Sequence, residues 1–182
     1  MVSKAKAELR KKILAKRDAL SKEEQLAMSE AVKQKLFSRP RFREAEVVAF
    51  FIDTGSEIKT RDMIQEAMML GKEVVVPVTD HKVTFYRLQS FEDLKEGKYG
   101  ILEPKSRVPP SKPPDLIIIP GICFGLCMHR IGYGKGYYDD YLGKSFAYRV
   151  GICHDFQVLE KLPKHDNDQR MDEIITEKRI IR

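Results

Sequence analysis

The chain has 182 residues, which suits one domain with a substantial hydrophobic core. No apolar run approaches the roughly 20 residues that cross a bilayer, and the charged N-terminus lacks the apolar stretch of a secretion signal, so we expect one cytoplasmic domain over residues 1–182. The 33 Lys and Arg exceed the 27 Asp and Glu by six, which fits a solvated lysine-rich surface or attraction to an anion, whether nucleic acid, nucleotide or polycarboxylate.

The three cysteines are an odd number, which argues against a paired disulfide framework. Cys123, Cys127 and His129 lie close enough in sequence for a zinc site to be conceivable. However, no C-x-x-C pair is present and the cysteines sit beside predicted strands. We therefore expect buried free thiols.

Two helices are predicted at the start of the chain. Apolar residues between positions 9 and 20 fall at helical spacing among Lys and Arg, which indicates an amphipathic helix. Ser21 offers an N-cap and Glu24 completes a capping box, so a second helix should run from there to about Phe37, before Pro40.

Predominantly apolar runs further along the chain are typical of strands buried on both faces. They are residues 47–52, 73–78, 116–119 and 148–153. The run 82–88 alternates and is expected at a sheet edge, and residues 173–181 should form a short ribbon. A helix with Thr60 as its N-cap and Gly71 at its end separates the first two runs. This order predicts an α/β fold: a single-domain layered sheet, mostly parallel with an antiparallel edge, flanked by helices.

The segment 130–139 is unusual because three glycines alternate with other residues. Gly132, Gly134 and Gly136 permit backbone conformations that aim consecutive N–H groups into one concavity, and such nests bind anions. A helix is expected to start near Tyr137, so that its positive end would face the same ligand.

Charged residues accompany these glycines. Lys135 would place an ammonium in the nest, and Arg130 adds a planar fork that can hold a phosphate through two hydrogen bonds. Asp139 follows on the first turn of the expected helix and could hold Mg²⁺, which prefers carboxylate, water and phosphate oxygens. The segment therefore predicts a phosphate site.

Neither familiar phosphate motif fits this segment. A Walker loop ending in the Gly-Lys-Ser at 143–145 needs glycine at Tyr138, and a dinucleotide fingerprint starting at Gly132 needs glycine at Tyr137. The loop is thus predicted to be a different phosphate cradle. The remaining alternative is a plain glycine-rich turn with both tyrosines in the core.

Residues 132–139, Gly-Tyr-Gly-Lys-Gly-Tyr-Tyr-Asp, resemble the signature of 5-formyltetrahydrofolate cyclo-ligases. Arg17 and Ser21 also stand at the usual places of that family, and the resemblance covers nearly the whole chain. Further segments similar to family motifs are 6–10, 57–60, 100–104, 115–121 and 168–172. Two positions depart from the usual pattern, because Gly125 stands where the family has Asp and Met128 where it has Gly.

The resemblance implies a set of ATP-binding residues. Lys6 and Arg10, at i and i+4, share one helix face that would touch phosphates. Lys135 and Arg130 are also implied as the catalytic residues. The implied ATP-binding residues are Lys6, Arg10, Arg130, Gly132, Gly134, Lys135, Gly136, Tyr138 and Asp139.

The resemblance also implies a metal site and a substrate site. Asp139 and Asp168 would hold Mg²⁺. Glu57 follows a buried strand, at the end where α/β proteins bind ligands, and would bind the pterin of the folate. The other implied substrate-binding residues are Ile52, as a pocket wall, and Tyr133 and Tyr137, which could stack on the flat rings.

The implied reaction is ATP- and Mg²⁺-dependent closure of 5-formyltetrahydrofolate, which can carry a polyglutamate tail, to 5,10-methenyltetrahydrofolate. Phosphorylation makes the formyl oxygen a good leaving group, and the second folate nitrogen then closes the ring. No histidine is assigned as a base, because His81, His129, His154 and His165 are all expected on the surface or in turns.

Two other functions stay open from the sequence. A sugar-phosphate isomerase or a CoA-transferase-like enzyme on a related sheet would keep phosphate binding without ATP. A basic nucleic-acid-binding module would need aromatic residues interleaved with Lys and Arg on a surface, whereas here they form a tight glycine loop. We expect a monomer that binds neither nucleic acid nor membrane.

Overall fold

The computed structural model describes residues 2–182. The α-helices of this part of the chain are α1 (Val2–Asp18), α2 (Lys22–Ser38), α3 (Pro40–Glu44), α4 (Arg61–Met69) and α5 (Tyr137–Leu142). The strands are β1 (Val47–Ala49), β2 (Glu73–Thr79), β3 (Val83–Arg87), β4 (Leu94–Glu96), β5 (Leu102–Pro104), β6 (Leu116–Ile119), β7 (Cys123–Gly125), β8 (Arg130–Ile131), β9 (Tyr148–Ile152), β10 (Val158–Leu159), β11 (Glu173–Ile175) and β12 (Ile180–Ile181). None of the helices within 2–182 is long and apolar enough to span a bilayer.

Seven strands form the main sheet in the order β12-β11-β9-β6-β1-β2-β3. The five central strands run parallel, while β3 and β12 pair antiparallel at the two edges. This confirms the predicted α/β fold with a mostly parallel sheet. The edge strand predicted at 82–88 and the ribbon predicted at 173–181 are also confirmed.

Both faces of this sheet are covered, which explains the continuous apolar runs. Alternate residues of β1 point to opposite sides, so Val48 joins the core under α2 and α4, whereas Val47 and Ala49 join the core under α5. A third cluster lies between Ile13 of α1 and the small sheet β10-β7-β8. This small sheet, whose strands have two or three residues, was not predicted from the sequence.

The predicted helix boundaries are largely confirmed. Ser21 and Glu24 form both hydrogen bonds of the capping box of α2, which ends before Pro40. Gly71 follows α4 in the left-handed region (φ 80°). Thr60 stands at the predicted N-cap position of α4, but its side chain makes no capping hydrogen bond.

The first predicted strand, 47–52, is too long. β1 ends at Ala49, although residues 50–52 stay buried. Phe50 N still donates to Val75 O of β2, but the chain beyond it bonds to Thr60, whose hydroxyl donates to Phe51 O (2.8 Å) and accepts from Asp53 N (3.0 Å). The Thr60 side chain thus shapes the loop after β1, and this loop carries Glu57.

The thiols are free, as predicted: Cys123 and Cys153 are buried and Cys127 is partly buried. Within residues 2–182 no group of three or more His, Cys, Asp or Glu side chains could hold a metal ion, so the zinc alternative has no support there. Burial raises the pKa of Cys123 to about 12, which makes it an unreactive core residue.

Candidate active site around the glycine loop

The segment 132–136 connects β8 to α5 and forms a glycine loop that is open to solvent. Gly134 (φ 100°) and Gly136 (φ 74°) lie in the left-handed region, where a side chain would cause strain. Gly136 is the residue before α5, which begins at Tyr137 as predicted but has only six residues. The dipole of such a short helix is small, so the loop and its cations contribute most of the electrostatic field at this site.

Helix α1 lies directly against the glycine loop. Arg10 Nε donates a 2.7 Å hydrogen bond to Gly132 O, and a Cβ at Gly134 would lie 3.4 Å from Arg10 Nη2. One turn earlier, Lys6 Nζ lies 2.5 Å from Asp168 Oδ2. The fold therefore brings Lys6, Arg10, the loop and Asp168 together, although up to 162 residues separate them.

Arg130 is the most unusual side chain of this site. It is 6% exposed, and within residues 2–182 its Nε and Nη2 have no hydrogen-bond partner. Asp139 Oδ1 lies 3.6 Å from Nη2, which is an ion pair but too long for a hydrogen bond. Burial lowers the pKa of Arg130, and Asp139 opposes that shift. A buried guanidinium with unpaired donors suits an anionic ligand.

The two predicted metal ligands lie on adjoining segments. Asp139 Oδ1 accepts a hydrogen bond from Gln169 N (3.1 Å), and Gln169 directly follows Asp168. Burial raises the pKa of Asp168, but hydrogen bonds from Lys6 and from the His165 amide outweigh it and leave this pKa below its usual value. The Asp168 carboxylate is therefore anionic at neutral pH.

Lys135 is exposed at the tip of the glycine loop, where its Nζ lies 5.9 Å from the ring centroid of Tyr99. Tyr99 is itself largely exposed and has a left-handed backbone (φ 61°). Tyr99 was not among the residues predicted for this site. Its only local signal is an aromatic residue immediately before Gly100, in a segment that resembles a family motif.

Glu57 is buried beside the glycine loop. One of its oxygens accepts hydrogen bonds from Thr54 N (2.9 Å) and Thr54 Oγ1 (3.2 Å), and the other accepts from the Tyr133 hydroxyl (2.8 Å). Burial and the Glu57 carboxylate raise the pKa of Tyr133 to about 12, so this hydroxyl keeps its proton. The predicted substrate residue and the predicted phosphate loop are thus in direct contact.

Two other predicted substrate residues lie apart from this contact. Ile52 is buried in the core under α2 and α4, whereas Tyr137 is partly buried against the core of the opposite sheet face. Tyr138 is partly buried, and the Arg130 guanidinium lies 5.5 Å from its ring centroid. Contacts of these side chains with substrate or ATP stay predictions.

A cleft of about 520 Å³ opens beside the loop that carries Glu57. It is bounded by that loop, the start of α4 and the segment after Tyr99. The residues that line it are Leu26, Asp53, Thr54, Gly55, Lys59, Arg61, Asp62, Gly100 and Leu102.

The expectation that all four histidines lie on the surface or in turns is wrong for His154. Its side chain is fully buried, and its Nε2 lies 3.2 Å from Ser56 O. Burial lowers its pKa, so the ring is neutral near pH 7. His129 is also buried, against the hairpin turn between β7 and β8.

The fold and this site define an α/β enzyme whose polar residues converge on one open glycine loop. The sequence model of the 5-formyltetrahydrofolate cyclo-ligase family matches residues 2–177. The chain therefore belongs to this family of ligases, and the resemblance found in the sequence is confirmed.

Individual relatives agree with this assignment. The NMR structure of 5,10-methenyltetrahydrofolate synthetase from Aquifex aeolicus is similar with a TM-score of 0.87 and 37% identity, covering 97% of this chain and 92% of that chain. A probable 5-formyltetrahydrofolate cyclo-ligase from Schizosaccharomyces pombe is 31% identical over 79% of this chain and 80% of its own. The 5-formyltetrahydrofolate cyclo-ligase of Escherichia coli K12 is 29% identical over 92% and 98%.

Proposed function

We propose that this chain uses ATP and Mg²⁺ to close 5-formyltetrahydrofolate to 5,10-methenyltetrahydrofolate, with release of ADP and phosphate. The observation that carries the proposal is the family match over residues 2–177. The open glycine loop, beside a buried guanidinium with two nitrogens that lack hydrogen-bond partners, supports the use of a phosphate-bearing cosubstrate. We further propose that residues 1–182 form one domain of a monomeric cytoplasmic protein.

The chemistry begins with a poor electrophile, because the formyl group is amide-like. Its oxygen takes the γ-phosphoryl group of ATP, which breaks the bond to ADP and turns that oxygen into a leaving group. The second folate nitrogen then attacks the formyl carbon. As the five-membered ring closes, phosphate departs with the original oxygen and the attacking nitrogen loses its proton to solvent. No protein nucleophile is required.

The protein aligns the two substrates and neutralises charge. Arg130 and Lys135 would contact the phosphoryl group in transfer. The backbone N–H groups of the glycine loop, together with Lys6, Arg10 and Tyr138, would hold the rest of the nucleotide. Arg130 fits this role because its two unpaired nitrogens are buried and can pair with phosphate oxygens only once the nucleotide is bound.

Asp139 and Asp168 would hold Mg²⁺. They fit because hard carboxylate oxygens suit this ion, which typically binds through one or two carboxylates together with substrate phosphates. When bound, the ion would supply neutralisation of phosphate charge. Asp168 would then exchange its ion pair with Lys6 for the metal, which frees Lys6 for the phosphates.

Glu57 would accept hydrogen bonds from the pterin of the folate. Tyr133, Tyr137 and Ile52 are the other proposed substrate residues. The cleft beside Glu57 suits the glutamate tail, and Lys59 and Arg61 on its wall could receive a carboxylate of a monoglutamate or polyglutamate form.

Replacing Asp168 with asparagine should raise the Mg²⁺ concentration for half-maximal activity at least about tenfold, since even changes to the partners of metal ligands cost that much. Asp166→Asn is the matched control, because Asp166 is exposed two residues earlier and should leave the Mg²⁺ requirement unchanged. Titrating Mg²⁺ at saturating ATP measures both. If both variants need the same Mg²⁺ concentration for half-maximal activity, Asp168 is not a metal ligand.

The reaction itself is tested by mixing the protein with Mg²⁺, ATP and 5-formyltetrahydrofolate. The proposal expects the ultraviolet absorbance of the methenyl product, in amounts equal to the ADP released. Controls without ATP or without Mg²⁺ should give no product. Absence of product in the complete mixture would reject the proposal, and ATP-independent turnover of a sugar phosphate or an acyl-CoA would favour the alternatives.

A further inference from the structure

Helix α1 buries a charged face, which is unusual for a surface helix. Its buried residues are Lys6, Ile13 and Arg17. Together with Arg10 they recur at positions i, i+4, i+7 and i+11, so they form one stripe that faces the glycine loop. The proposed function uses Lys6 and Arg10 for phosphates but gives no role to Arg17, which is 4% exposed.

Arg17 joins the two halves of the proposed site. Its Nη2 donates to the Tyr133 hydroxyl (3.2 Å) in the glycine loop, and its Nε donates to Ser56 Oγ (3.0 Å) in the loop that carries Glu57. Ser56 in turn donates to Asp18. Since Tyr133 also donates to Glu57, which directly follows Ser56, the hydrogen bonds and the backbone together close a ring around the contact between the two loops.

The ring has a fixed direction. A guanidinium can only donate hydrogen bonds, so the Tyr133 oxygen must accept from Arg17. The single Tyr133 proton is thereby directed at Glu57, which as a carboxylate can only accept. Arg17 thus determines how the Tyr133 hydroxyl is oriented, and with it the distance between the glycine loop and Glu57.

We propose that Arg17 is a positioning residue that couples the phosphate-binding loop to the folate-binding carboxylate through the Tyr133 hydroxyl. This inference rests on the proposed function, because it assigns Glu57 to the pterin and the glycine loop to ATP. Arg17 touches neither substrate. Its role is to keep the formyl oxygen, held from the Glu57 side, in line with the phosphoryl group, held from the loop side.

A double-mutant cycle with the full-length protein tests this role. Arg17→Met should lower kcat/KM for 5-formyltetrahydrofolate between about tenfold and a hundredfold, as expected for misplaced reactants. Tyr133→Phe removes the hydroxyl through which Arg17 acts. In the Tyr133→Phe protein, adding Arg17→Met should therefore lower kcat/KM by less than about a further threefold. The effects of residues that act as a unit do not add.

The control is Lys12→Met, which removes an exposed cation from the same helix and should leave kcat/KM unchanged. If Arg17→Met fails to fold, Arg17→Lys replaces it in the double-mutant cycle. Lysine keeps the charge, but it lacks the planar guanidinium that bonds Tyr133 and Ser56 at the same time. Thermal unfolding of each variant is measured alongside.

An Arg17 effect of full size in the Tyr133→Phe background would overturn the inference, because it would show that Arg17 acts through the general stability of the fold. An unchanged kcat/KM in a folded Arg17 variant would do the same. Wild-type turnover in the same assay tests the proposed function separately, so failure of the coupling and failure of the reaction give different results.

Discussion

Arg130→Met is expected to lower kcat about 100- to 1,000-fold, the range for loss of one preorganised donor to developing charge. The melting temperature should stay unchanged or rise. The guanidinium is buried, and its two unpaired nitrogens are costly in the absence of a ligand, on the order of 1–3 kcal/mol for each unsatisfied group. Methionine fills a similar volume without polar atoms, and Asp139 keeps its Gln169 hydrogen bond and partial contact with water.

The measurement combines turnover in the methenyl absorbance assay with thermal unfolding of the ligand-free protein. Arg107→Met is the control, because Arg107 is a partly exposed arginine paired with Glu103 and should change neither quantity. A large loss of stability in Arg130→Met would show that the guanidinium supports the fold. Near wild-type turnover of Arg130→Met would show that Arg130 does not contact the phosphates during the reaction.

Lys135→Ala should lower kcat to a similar extent, by about 100-fold or more. Lys135 is exposed, and its contact with the Tyr99 ring is worth at most about 0.5–1 kcal/mol at an exposed site. The fold should therefore be unaffected, so that the loss reports on phosphate contact alone.

Lys144→Ala is the matched control for this variant, since Lys144 is also exposed and lies just beyond α5. It should keep wild-type turnover. Should Lys135→Ala turn over like Lys144→Ala, the glycine-loop lysine has no part in the reaction and the assignment of catalytic residues is wrong.

The fold and the glycine loop were predictable because their signals are local. Central strands such as β1 and β6 are buried on both faces by the sheet topology, so they appear as continuous apolar runs, and Ser21 with Glu24 marks a helix start within four residues. The cluster of glycines and charges at 130–139 likewise lies in one short segment.

The remaining features depend on contacts between distant segments. Nothing near Lys6 indicates that it pairs with Asp168, and nothing near Arg17 indicates that it bridges Tyr133 and Ser56. The three short strands β7, β8 and β10 contain too few residues to show any periodicity. Thr60 stands at the predicted N-cap position, but its hydroxyl bonds the preceding loop instead of the helix.

Met128 illustrates how a departure from the family pattern is accommodated. It has a left-handed backbone (φ 67°) at the position where the resemblance predicts glycine, a conformation that costs a bulky residue about 1–3 kcal/mol. Its side chain is buried in the core under α5, and its carbonyl accepts a 2.7 Å hydrogen bond from Met171 N. Burial of that side chain offsets the strain of this turn before Arg130.

Hydrogen exchange of the backbone amides tests most directly whether the glycine loop holds the phosphates of ATP. A non-hydrolysable ATP analogue with Mg²⁺ should slow exchange of the amides at 132–136, which are exposed in the ligand-free protein, whereas adenosine should not. If the analogue binds and slows exchange elsewhere but leaves residues 130–139 unchanged, the loop is not the phosphate site.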